Sequence, residues 1–148
     1  MSYLPGTQNK FSDAVRHLLA VEYDAIESYQ AARNRIQEKE YKETIEDHIK
    51  EHQEFVKKLE GFMQKHHFTF ETGPSGKQML SIGRIALAKL IDDKSVLRAL
   101  ISVEKASKKA CEQMKTFEEN DKSSHTLFKK GVAHFDAHEK WLSDHIQH

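Results

Sequence analysis

The sequence predicts an all-α protein: a four-helix bundle built from two antiparallel helical hairpins joined by one long crossover. Four long stretches carry apolar residues at alternating spacings of three and four, which paints one face of a helix. Only two prolines and six glycines occur in 148 residues, too few for the turns of a β-sandwich or barrel. A single segment long enough to be a crossover separates the second stretch from the third.

The first helix is expected from about Gln8 to Glu38, with Phe11, Val15, Leu18, Ala25, Ile26, Tyr29 and Ile36 inward. The second runs from about Glu40 to His66, burying Tyr41, Ile45, Ile49, Val56, Leu59 and Met63. The break between them is so short that the pair must fold back as a hairpin. Residues 67–77, HFTFETGPSGK, are the clearest non-helical segment. A short apolar helix from about Gln78 to Ile91 follows, with Ser75 as its N-cap. Its apolar residues are too dense for a solvated helix, so it is expected to pack on the bundle or on another subunit. Asp92 and Asp93 then precede a third helix, Lys94 to about Glu119. A tight turn at Asn120–Ser123 leads into the fourth, about Ser124 to Gln147. Two hairpins and one long crossover are the ferritin-like arrangement among four-helix bundles.

Composition narrows the function. The 148 residues suit a single domain able to bury roughly two-thirds of its unfolded surface. Lys and Arg total 23, as do Asp and Glu, so no net charge favours a nucleic-acid or anionic-membrane partner. One cysteine, Cys111, excludes an intramolecular disulfide and a Cys-rich zinc framework. No run of 18 apolar residues occurs, and MSYLPGTQNK has no hydrophobic signal core, so a cytoplasmic location is expected. No Gly-rich phosphate loop or Ser–His–acid pattern is present, and Cys111 lies on an inner helix face where a thiol is packing rather than nucleophile.

Ten histidines stand out, and their positions matter more than their number. At 100° per residue, Glu22 falls near the middle of the first apolar stripe and Glu104 near the middle of the third. Buried carboxylates of this kind must be paired, protonated or metal-bound. His48 and His52 flank Ile49 on the inner face of the second helix, and His134 and His138 flank Phe135 in the same way on the fourth. Asp47, Glu51, Asp136 and Glu139 point away by a third of a turn or more, as surface residues or as partners behind the inner ones. One Glu, two His, one Glu and two His, in helix order, form a pseudo-twofold set suited to a transition metal or zinc. Taken singly, each of these groups also fits a hydrogen-bonded core role, with the glutamates paired to cationic histidines. His17, His66, His67, His125 and His148 read as surface or helix-end residues, and His145 leans inward.

These segments bear a family resemblance. LAVEYDAIESY (19–29) resembles the first helix of bacterioferritins and rubrerythrins, with its ligand Glu and a Tyr seven residues on. LRALISVEKASKKA (97–110) resembles their third helix, and HEKWL (138–142) the end of their fourth-helix motif. His52 stands where their second-helix ligand His would be. The resemblance implies a ferritin-like fold, an iron cofactor, and Glu22, His52, Glu104 and His138 as ligands; His48 and His134 are added by helical geometry. It also shows a departure. The family's Glu-x-x-His motifs bridge two irons, and here the bridging positions are Ile49 and Phe135.

With two Glu and four His, two divalent ions would leave a net +2 in the core, so the site needs a bridging anion or holds one metal. The short helix at 78–91 resembles that of small bacterial ferritin-like proteins, which implies a homodimer rather than a storage shell. The resulting expectation is an iron-binding protein able to react with O₂ or peroxide, with Tyr29 near enough to donate a hydrogen bond or an electron. Two other readings stand beside it. One is a bundle without metal, serving dimerisation or protein binding. The other is a structural site for zinc or another transition metal.

Overall fold

A computed structural model describes residues 11–70, 90, 92–117 and 122–147. Four helices lie in these residues, with no strand among them: α1 (Phe11–Arg35), α2 (Lys39–Lys65), α3 (Asp93–Glu112) and α4 (Lys122–Ile146). The expected short helix at 78–91 with its Ser75 cap falls outside the described residues, except that Leu90 has no helical assignment. The Asn120–Asp121 turn also falls outside them, and Lys122 and Ser123 already belong to α4.

The ends of the elements follow from local chemistry. Acidic Asp13 and Glu40 sit in the first turns of α1 and α2, and Arg33, Arg35 and Lys65 in their last turns, each opposing the local helix charge. Helix α1 stops three residues earlier than its apolar spacing predicts. The reason is tertiary: the backbone N–H groups of Gln37 and Glu38 donate to the Asp93 carboxylate at 2.8 and 2.9 Å. Asp92 caps α3 by accepting from Ser95 N–H at 2.9 Å and from the Ser95 hydroxyl at 2.9 Å. At its far end α3 tightens at Gln113 into a 3₁₀ turn, Gln113–Thr116, short of the expected Glu119, as helices often do in their last turn.

Helix α2 ends in a Schellman motif, with Phe68 N–H bonded to Met63 C=O at 2.8 Å and His67 N–H to Gln64 C=O at 3.1 Å. The motif places His67 at φ 58°, a conformation that suits glycine and strains an L side chain. His67→Gly is expected to raise stability by about 0.5–1 kcal/mol; a lower urea midpoint for the variant would show that the imidazole contributes more than its backbone costs.

Long-range contacts fix the topology. Arg35 at the end of α1 donates to Leu90 C=O at 2.9 Å, just ahead of α3. At the opposite end, the Phe11 ring meets Phe62 and Phe68 near the end of α2, Phe117 after α3, and Phe128 near the start of α4. Helix α1 is therefore antiparallel to both α2 and α3, and α4 is antiparallel to α3. The end of α2 and the start of α3 lie at opposite ends of α1. The two-hairpin, one-crossover arrangement expected from the sequence is the one observed.

The core is divided along the bundle axis. Phe11, Val15, Leu18, Phe55, Leu59, Phe62, Met63, Met114, Phe128 and Phe135 form one apolar cluster. Tyr29, Ala32, Ile36, Ile45, Ile49, Val96, Leu97, Leu100 and Leu142 form the other. Between them lies a polar layer with one or two residues from every helix: Glu22, His48, His52, Glu104 and His138, all buried.

Candidate metal centre

Each helix delivers its polar residue where its apolar stripe would otherwise continue. Glu22 follows Leu18 and Leu19 on α1, and Glu104 follows Leu100 on α3; both are fully buried. On α2, His48 and His52 are one turn apart and both buried; on α4, His138 is buried between Phe135 and Leu142.

His52 is the centre of the hydrogen-bond network. Its Nδ1–H donates to Glu22 Oε1 at 2.8 Å and its Nε2–H to Glu104 Oε2 at 2.9 Å. A ring that donates from both nitrogens is an imidazolium. Burial works against that charge, but Glu22 and Glu104 outweigh it and lift His52 to about 10. Burial likewise works against ionised Glu104, and the His52 charge together with bonds from His138 and His52 brings it down to about 2. The Tyr29 hydroxyl also donates to Glu104 Oε2 and faces His48 Nδ1 at 3.2 Å. Burial, then the negative charge of Glu104, raises Tyr29 well above its ordinary value, so it stays a proton donor.

His48 is different. Its ring stacks on that of His138 with centroids 3.9 Å apart. Burial and then the neighbouring His138 lower it to about 3, which leaves a neutral imidazole suited to bind a metal.

His138 faces a carboxylate at each nitrogen. Nε2 is bonded to Glu51, and Nδ1 lies 3.2 Å from Glu104 Oε2. A ring between two carboxylate oxygens can carry a proton on each side, or offer one nitrogen to a metal ion in place of a proton. Among the described residues, Glu22 Oε2 and Glu104 Oε1 are buried with no hydrogen-bond partner. His48, Glu104 and His138 bring their ligand atoms within 4.8 Å of one another. The donor set could therefore hold a metal ion: two imidazoles and one carboxylate with an unused oxygen.

A protein family described as a domain of unknown function, DUF2383, matches residues 10–119. The chain belongs to this family. No curated protein and no solved structure matches it. The DUF2383 match spans Glu22, His48, His52 and Glu104 and ends before α4, which carries His138.

Of the six residues expected in the site, five meet in the polar layer of this DUF2383 chain. Glu22 and His52 are joined to each other, and His52 links them to Glu104. The sixth, His134, does not point inward as its spacing predicts. Its side chain is 53 % exposed and lies 3.7 Å from Glu51. The apolar stripe of α4 passes through Gly131, Phe135, His138 and Leu142, and His134 stands at its edge. Glu51, expected at the surface or behind an inner residue, takes the second place and reaches across to His138 on α4. That partner lies 87 residues away, so nothing local to α2 announces the contact. Cys111 is buried, donates to Phe128 C=O at 3.2 Å, and is pushed by burial to about 12, as inert packing requires. Asp136 is a surface residue paired with Lys108 at 2.6 Å.

Proposed function

We propose that this protein binds one divalent transition-metal ion in the middle of a ferritin-like bundle, through His48, Glu104 and His138, and that the resident ion is iron. The observation that carries the reading is the unpartnered oxygen Oε1 of Glu104, buried within a group of three ligand-spaced side chains. Two imidazoles and one carboxylate are a donor set common to non-haem iron(II) and to zinc. Iron held by three protein ligands has positions open to O₂ or peroxide. The chain's own residues do the rest. Glu51 holds the outer nitrogen of His138 and fixes the ring. His52, bridging Glu22 and Glu104, holds the carboxylate in place, and Tyr29 keeps a hydroxyl proton on Glu104. The apolar clusters on either side exclude water.

The resemblance of the Glu22 and Glu104 segments to bacterioferritin and rubrerythrin helices supports iron, as does the two-hairpin topology. One ion rather than a diiron pair follows from the missing bridging glutamates, whose positions hold Ile49 and Phe135. Metal-free protein titrated anaerobically with Fe²⁺ is expected to retain about one iron per chain, and Glu104→Gln and His138→Ala are expected to retain none. Unchanged iron in both variants would remove the assignment, and stoichiometric zinc in preference to iron would make the site structural.

A second reading rests on the Glu22–His52–Glu104 triad, which compensates most of its own charge without a metal. It makes the layer a structural element of a non-enzymatic bundle and predicts no uptake of Fe²⁺ or Zn²⁺ in the same titration.

A further inference from the structure

His138 belongs to two groups. Its Nδ1 faces Glu104 and the buried trio, and its Nε2 faces Glu51. Glu51, His134 and His138 also bring their ligand atoms within 4.8 Å of one another. We propose that Glu51, His134 and the outer nitrogen of His138 form a loading station for divalent transition-metal ions, through which the buried site is filled. This rests on the reading of His48, Glu104 and His138 as a metal site.

Exposure separates the two groups. The buried trio is closed to solvent, whereas the side chains of Glu51 and His134 are 42 % and 53 % exposed. A hydrated ion cannot reach Glu104 with its waters on, and must exchange them for protein ligands on the way in. Glu51 and His134 offer one carboxylate and one imidazole at the rim, and His138 completes a set of three that resembles the inner one in donor type. A small pocket between α2 and α4 opens at this point, lined by Glu51, Phe55, Lys58, Lys130, Gly131 and His134. Two lysines and two glutamates, Glu51 and Glu54, line it, so no net charge draws cations in, and capture must depend on ligand geometry and favour ions that bind imidazole over Ca²⁺ or Mg²⁺.

The shared ring also decides between a relay and a dinuclear centre. Ions bound to the two nitrogens of one imidazole would sit only about 6 Å apart, given metal–nitrogen bonds near 2 Å. A neutral imidazole has one lone pair and one N–H, so it holds an ion at one nitrogen and keeps its proton on the other. Occupancy is therefore sequential: as the ion passes from Nε2 to Nδ1, the ring proton passes from Nδ1 to Nε2, where Glu51 accepts its hydrogen bond and the outer group is vacated.

Co²⁺ serves as the probe, because its visible bands report binding directly. Metal-free protein is mixed with Co²⁺, the bands are followed in time, and bound cobalt is counted after gel filtration. His134→Ala, a change at an exposed position, is expected to load at least about tenfold more slowly yet reach the same spectrum and the same cobalt content as the wild type. His125→Ala, also exposed, should load at the wild-type rate. Loading of His134→Ala at the wild-type rate overturns the station. So does loss of bound cobalt in that variant, which would make His134 a ligand of the resident ion. Glu104→Gln tells this failure from failure of the buried site: cobalt uptake by that variant equal to the wild type removes the buried assignment itself.

Discussion

Glu104→Leu is expected to destabilise the metal-free protein by about 3–5 kcal/mol, the usual cost of removing one partner from a buried ion pair. The glutamate is fully buried, and its Oε2 takes bonds from Tyr29 and His52 and faces His138 Nδ1. Leucine would leave the His52 charge with Glu22 alone and the Tyr29 hydroxyl without its acceptor. Set against a typical domain stability of about 5–15 kcal/mol, the loss should be plain in urea unfolding. Glu22→Leu should cost less, because Glu22 makes one bond of the network through Oε1. Adding His52→Leu to Glu104→Leu should recover part of the loss, since the charge left stranded is then gone. A Glu104→Leu variant within about 1 kcal/mol of the wild type would mean that water enters the layer and the network contributes little.

The stability of the metal-free protein is expected to peak between about pH 6 and 7 and to fall on both sides. On the alkaline side the cause is His52. Its folded value of about 10 lies above the ordinary 6.5, so its contribution is complete below pH 6.5 and disappears as the pH rises toward 10. On the acid side His48 acts first. Burial and His138 hold it near 3, so between pH 6.5 and 3 the unfolded chain takes up a proton that the folded chain refuses. Glu104, near 2 when folded, adds a further loss as the pH falls from its ordinary 4.5. One proton gives a limiting slope of about 1.4 kcal/mol per pH unit. Denaturant midpoints measured from pH 4 to 9 check the profile. His52→Gln should flatten the alkaline limb and leave the His48 slope on the acid limb in place. An alkaline limb unchanged in that variant would assign the effect to another group.

The fold was legible because its signal is repeated along the chain. The first two helices each carry six or more apolar residues at helical spacing, and an error at one position does not change the face. Glu22, His52, Glu104 and His138 were legible for the same reason: each interrupts a stripe that otherwise stays apolar, and all four are buried. His134 was misread because a residue one turn before a buried histidine lies close to the stripe but need not lie in it, and α4 buries Gly131 and Phe135 instead. The helix ends were less legible still, since Gln37 and Glu38 are held by Asp93 from the far side of the crossover.

The sequence by itself determined four amphipathic helices, their order, and a polar residue set into each stripe, because helical periodicity is a property of neighbours along the chain. Only the tertiary structure decided what those residues do to one another. Which histidine takes a charge depends on distances across helices: His52 lies between two carboxylates and becomes an imidazolium, whereas His48, one turn away on the same helix, stacks on His138 and stays neutral. Glu51 shows the same dependence. On its own helix it is a surface residue, and packing of α4 against α2 makes it the partner of His138. Electrostatic roles in a buried layer are set by separations of a few ångströms between distant residues, and helical periodicity does not encode them.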